Sequence, residues 1–105
     1  MSNALVCLCT CPDEAVAGRL ARALVEDRVA ACVNVLPGLR SIYRWQDEIQ
    51  EEPEVLLIIK TTVDAFPALE AAVRARHPYT VPELVALPVA LGHQEYLAWL
   101  CGAVR

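Results

Sequence analysis

Basic charge is scarce in this sequence. Lys60 is the only lysine, and nine basic residues face thirteen acidic ones for a formal net charge of −4. Lysine and arginine form no basic patch, which excludes the electrostatic footprint of a nucleic-acid binder or of a protein held on an anionic membrane. Long apolar runs are missing as well. The longest, Leu84 to Leu91, is broken by Pro88, whereas a membrane span takes about 20 residues. The four glycines are scattered, so there is no phosphate-binding loop, no dinucleotide fingerprint and no G-x-S-x-G elbow. Two histidines, His77 and His93, leave little for general-base work, and no enzymatic activity is expected. The start, Met1-Ser2-Asn3, lacks the basic region of a signal peptide; a cytoplasmic protein is expected.

What is abundant is apolar surface. Hydrophobic residues make up 56% of the 105, above the ~45–50% of an ordinary soluble domain. Disorder and low-complexity architectures are excluded, and the length suits one domain spanning residues 1–105. A chain this short buries only about two-thirds of the surface its unfolded form exposes, so a homo-oligomer is expected to cover the remainder. The cysteines number five, Cys7, Cys9, Cys11, Cys32 and Cys101. An odd count without a secretion signal speaks against a disulfide framework and for free thiols packed as small apolar groups.

Along the chain, Ala4 to Cys9 is an apolar run of strand length. Thr10 and Asp13 flank Pro12 as a helix start, and Val16, Leu20 and Leu24 recur at helical spacing to a stop near Asp27. Ala30 to Leu36 is β-prone, Pro37-Gly38 marks a bend or bulge, and Ser41 to Trp45 resumes the strand. Gln46-Asp47 makes a turn into Ile49 to Thr62, so Ala30 to Thr62 reads as one long hairpin. Asp64 is placed to cap a second helix with Pro67 in its first turn. Phe66, Leu69 and Val73 form its buried stripe, and Glu70 and Arg74 an exposed pair. Pro78 ends that helix. Glu83 to Val89 reads as a strand and His93 to Val104 as a final helix with Tyr96, Leu97 and Leu100 inward. The order β-α-β-β-α-β plus a helix predicts a ferredoxin-like α+β fold, an antiparallel sheet with two helices on one face. Its other face is apolar too, and a second subunit is the expected cover.

Five blocks then resemble a known family: Cys32-Val33-Asn34-Val35-Leu36-Pro37-Gly38, Ser41-Ile42-Tyr43-Arg44-Trp45, Leu57-Ile58-Ile59-Lys60-Thr61, His77-Pro78-Tyr79-Thr80-Val81-Pro82-Glu83 and Tyr96-Leu97-Ala98-Trp99-Leu100. Their order and spacing are similar to those of the divalent-cation tolerance (CutA) family from Cys9 almost to the C-terminus. The resemblance implies a homotrimer of ferredoxin-like protomers and a link to copper and other divalent cations such as zinc. It also implies a metal role for Cys9 and His77. Trimeric signalling proteins of the PII type share the architecture, which supplies the rival reading: a module binding a small ligand or partner protein in its inter-subunit clefts. Two positions depart from the family pattern. The hairpin tip has Asp47 where the family usually has glycine, and Arg76 stands where some members carry a second histidine.

Thiolate and imidazole suit soft ions, and residues alternating along a strand share a face, so Cys7 points with Cys9. Cys7 or Cys32 is the expected third donor. The competing reading makes Cys9 a core thiol and His77 a cap on the second helix, where positive charge is favourable. Lys60, Tyr79 and Glu83 are polar groups in or beside apolar strands, where a charge needs a partner. Either Lys60 pairs with Glu83, or Lys60, His77, Tyr79 and Glu83 line a cleft between protomers walled by Tyr43 and Trp45.

Overall fold

The architecture follows from where the apolar alternation starts and stops. In the computed structural model, which describes residues 3–105, β1 (Ala4–Cys11) leads to α1 (Glu14–Glu26). The hairpin strands β2 (Cys32–Trp45) and β3 (Glu48–Thr62) follow, then α2 (Phe66–Arg76), β4 (Val85–Pro88) and α3 (Gln94–Ala103). Met1 and Ser2, part of the start read for a signal peptide, lie outside the described residues. The strands pair antiparallel in the order β2-β3-β1-β4. That is the ferredoxin-like arrangement expected from the order of elements.

One sheet face is packed against α1 and α2. Cys7, Cys9 and Cys11 of β1 and Val55, Leu57 and Ile59 of β3 meet Leu20 and Leu24 of α1 and Leu69 and Val73 of α2 in one buried cluster. Full burial of a leucine or isoleucine stabilises by about 1.5–3 kcal/mol, so this layer is the main source of stability. The fully buried apolar side chain of α3 is Leu100, which packs separately with Ala4 and Ala31. Tyr96, expected inward, is 43% exposed and tilts against the equally outward Trp99 at 5.6 Å between ring centroids. A ten-residue helix with one buried anchor leaves its aromatic side unpartnered within the chain.

Local chemistry accounts for the element ends. Asp13 caps α1 through its carboxylate, which accepts from the Val16 N–H at 2.8 Å. Asp64 does not cap α2. The N-cap is Ala65, whose N–H donates to the Thr62 hydroxyl at 3.2 Å, because Thr62 already sits at the strand end three residues back. Glu70 and Arg74 are both exposed, and among the described residues the ion pairs are Arg40–Glu51 and Arg76–Asp27. The last strand is shorter than its apolar run, Val85–Pro88 instead of Glu83 to Val89, and pairs with β1 from Leu5 to Leu8.

The hairpin carries two special conformations. Gly38 has φ +89 at the bulge, where β2 uses one more residue than β3 between Leu36↔Leu56 and Leu39↔Glu54. The extra residue exchanges the two faces of β2. Beyond it Tyr43 and Trp45 stand on the face that Glu54 and Leu56 share, away from α1 and α2. Gln46 and Asp47 close the tip with φ +52 and +65, the pair of left-handed residues that a two-residue hairpin turn requires.

Candidate metal centre

Strand alternation places Cys7, Cys9 and Cys11 side by side on the helix-covered face, each fully buried. The third participant arrives from α2. Pro78 keeps His77 out of the helical region, and His77 leaves the helix with ψ 137, its backbone N–H still bonded to the Val73 carbonyl at 2.8 Å. The imidazole turns into the protein and is only 7% exposed. Its Nε2 lies 2.7 Å from the Thr10 carbonyl oxygen, and its Nδ1 accepts the Tyr79 N–H at 3.1 Å. A carbonyl only accepts and an amide N–H only donates, so this arrangement specifies a neutral ring with its proton on Nε2. His77 is thus the C-cap residue of α2, but its side chain serves β1 and the following loop rather than the helix carbonyls.

The Sγ atoms of Cys9 and Cys11 and a ring nitrogen of His77 lie within 4.8 Å of one another. Cys9 and Cys11 are electrostatically one unit. The Cys9 thiol, whose S–H donates to the Thr10 carbonyl at 3.9 Å, is pushed up by its interaction with the Cys11 side chain, by desolvation, and by Glu83 and Glu54. The same interaction pulls Cys11 down. Two sulfurs on one ion at about 2.3 Å sit no more than about 4.6 Å apart, so donors already within 4.8 Å need little movement to share one. The fit is good for the two sulfurs. For the imidazole it is conditional, since both nitrogens are engaged and one bond, to Thr10 or to Tyr79, has to be released.

The third donor-type side chain brought beside Cys9 and His77 is that of Cys11, while Cys7 and Cys32 lie outside the group. The strand signal in the sequence stops at Cys9, whereas β1 runs on to Cys11 opposite Val55, and the same alternation then adds one more thiol to the face. Cys7 shares the face but lies outside the donor cluster, and burial alone raises its thiol to about 11. Cys32 lies in β2 opposite Lys60, whose Nζ is 3.8 Å from the Cys32 sulfur and bonded to the Asn34 side-chain oxygen. Among the described residues Lys60 therefore pairs with Asn34 and Cys32 and not with Glu83. Arg76, adjacent to His77, holds Asp27 at 3.4 Å on the exposed side of the molecule.

A second concavity of about 770 Å³ lies between the hairpin and the 78–83 loop. Of the residues expected to form a cleft it gathers Tyr43, Trp45, Tyr79 and Glu83, joined by Glu52 and Glu54. Lys60 is absent from it because it sits six residues further along β3 than Glu54, roughly 20 Å at strand rise. His77 is absent because its ring faces the core. The Tyr79 hydroxyl donates to Glu54 at 2.6 Å, and the Tyr43 hydroxyl donates to Glu52. Desolvation, then the Glu54 bond, pushes the Tyr79 phenol well above its ordinary value. Tyr43 is raised chiefly by its bond to Glu52.

A four-stranded antiparallel α+β protein with a long hairpin and a buried thiol–imidazole cluster is thereby defined. The chain belongs to the CutA1 divalent ion tolerance protein family, whose profile matches residues 5–103. It is 62% identical over 95 residues to the divalent-cation tolerance protein CutA of Thermus thermophilus, covering 90% of this chain and 92% of that one. The solved structure of a divalent cation tolerance protein from the same organism superposes with a TM-score of 0.96 at 58% identity, over 97% of this chain and 99% of that chain. The CutA1 structure from Oryza sativa gives 0.94 at 41% identity, over 97% and 94%.

Proposed function

We propose that this divalent-ion tolerance family member acts by binding copper, or a similarly soft cation such as zinc, without enzymatic chemistry, as a cytoplasmic homotrimer. The observation that carries the reading is the convergence of the Cys9 and Cys11 sulfurs and the His77 ring within 4.8 Å. Thiolate and imidazole donors prefer copper and zinc to hard ions such as magnesium or calcium. Tolerance then means sequestration: two sulfurs and one nitrogen make a labile site, short of the four ligands of a closed structural zinc centre. Both His77 nitrogens are committed to backbone groups, which leaves the ring to hold structure or a metal rather than to shuttle protons. All five cysteines are free, which favours a reducing compartment. The trimer is supported by the apolar surface one protomer leaves open, with Trp45 49%, Leu87 54% and Trp99 51% exposed.

The test is anaerobic competition titration of the reduced protein with Cu(I) and, separately, Zn(II). Cys9→Ser and Cys11→Ser are each expected to weaken Cu(I) binding at least tenfold. His77→Ala weakens it less, and Cys101→Ser leaves it unchanged. Unchanged Cu(I) binding in both Cys9→Ser and Cys11→Ser rejects the site.

A further inference from the structure

Cys9 and Cys11 make a complete dithiol without His77. Both are free thiols, both are fully buried on the helix-covered face of β1, and their sulfurs lie within 4.8 Å of each other. Their Cα atoms stand roughly 6.6 Å apart at strand rise, near the upper end of the span that a disulfide closes. The pair is therefore spaced better for one bridging atom than for a direct S–S bond. His77 is satisfied at both ring nitrogens, by the Thr10 carbonyl at 2.7 Å and the Tyr79 N–H at 3.1 Å. A ligand that leaves those two bonds intact meets two sulfurs and no nitrogen.

From this we propose that Cys9 and Cys11 capture a trivalent thiophilic metalloid, arsenous acid or its antimony counterpart, as a bridged dithiol adduct. The proposal shares its sulfurs with the copper reading and widens the ligand class of that site, but it needs neither a cation nor the imidazole.

The class follows first from charge. Condensation of As(OH)3 with two thiols forms two As–S bonds and breaks two As–O bonds. Each departing hydroxyl leaves with one thiol proton, so two waters are released. Arsenic stays trivalent, and no oxidant or reductant enters. The adduct is uncharged, as a site removed from water favours. Geometry agrees. Two side chains standing side by side on one strand face present their sulfurs from the same direction, which suits the bent S–As–S corner of a pyramidal centre. The site also lies near an opening. Cys11 is the last residue of β1, and the next two, Pro12 and Asp13, line an open groove of about 1050 Å³. Arsenous acid is a small uncharged triol at neutral pH, so its passage from that groove buries no charge.

The test is native mass spectrometry of the reduced, chelator-treated protein in its native assembly, titrated with sodium arsenite. A maleimide count of the remaining thiols runs beside it. The expected adduct is one arsenic per chain, seen as one AsOH gained and two hydrogens lost, with two of the five free thiols protected. Cys9→Ser and Cys11→Ser should each weaken arsenite binding at least about a hundredfold, the scale of a lost intramolecular second contact. Cys9→Ala and Cys11→Ala, which keep the core apolar, should do the same and guard against a serine that fails to fold. Cys32→Ser and Cys101→Ser should leave affinity unaltered. Arsenite binding without Cu(I) binding upholds the proposal and rejects the copper reading alone. Cu(I) binding without arsenite binding overturns the proposal alone. An adduct retained in both Cys9→Ser and Cys11→Ser, or an equal loss in Cys101→Ser, overturns it too.

Discussion

Burial raises the Cys7 thiol from its ordinary 9.0 to about 11. In the unfolded chain the same thiol ionises near its ordinary value, so the folded state binds the proton more tightly. The resulting stability is fully present below about pH 9 and is lost as the pH rises to about 11. Two units correspond to on the order of 3 kcal/mol. Urea denaturation from about pH 8 to about pH 11 is expected to show this decline, and Cys7→Ala, less stable at pH 8 because of its cavity, is expected to show a flatter one. The same physics acts at Cys9, whose thiol is pushed up by its interaction with the Cys11 side chain and by desolvation. A metal must displace that proton, so apparent Cu(I) affinity is expected to rise as the pH is raised from about 6 to about 9, measured by the same competition titration. At this scale the sequence singled out Cys9 and His77, and the structure brings their side chains together. The sequence was opaque at Cys11 and Glu54, because a strand end and the burial of one carboxylate depend on neighbours far away in the chain.

Among the elements, the hairpin was the most legible. Alternation, Pro37-Gly38 and Gln46-Asp47 marked its strands, bulge and tip, all of which are present. Boundaries were less so, as with β4, which pairs with only part of β1, and α2, capped through Thr62 instead of Asp64. Two left-handed residues mark places where side chains are accommodated at a cost. Asp47 has φ +65 in the turn, and Arg28 has φ +60 just past α1, where the Arg28 and Val29 N–H groups bond back to Val25 and Leu24. Glycine is the usual occupant of that post-helix position. Arg28→Gly and Asp47→Gly are each expected to stabilise by about 0.5–1 kcal/mol, read as a higher denaturation midpoint. Gly38→Ala at φ +89 is expected to do the reverse.

At the scale of the whole molecule the chain leaves apolar side chains open on one side. Val6, Leu8, Leu56 and Ile58 are half-buried on the sheet face turned away from α1 and α2, while Val85 and Leu87 of β4 and Tyr96 and Trp99 of α3 are exposed. The proposed trimer predicts that sedimentation at micromolar concentration gives a single three-protomer species, and that Leu87→Glu or Trp99→Glu shifts it toward smaller ones. Coupled dissociation and unfolding then make the melting temperature rise with protein concentration. The topology of this face was readable from the element order, but which aromatic residues remain outside was not. Tyr96 and Leu100 share a helical spacing, and only the position of Ala4 and Ala31 decides that Leu100 is the one inside.

The hairpin extends further than the sheet that supports it. β1 pairs with β3 only from Val55 to Thr62, so residues 39–45 and 48–54 pair with each other and with no other strand, along a body whose longest extent is 44 Å. A two-stranded ribbon is marginal in water by itself. Its amide protons therefore measure its surroundings. In an isolated protomer those of the outer ribbon should exchange with solvent deuterium orders of magnitude faster than those of β1, at a rate set by local fraying. In an assembly that clasps the ribbon, the two sets should approach one another. Deuterium uptake at Tyr43 and Gln50 thus reports whether, and how tightly, a neighbouring copy holds the ribbon.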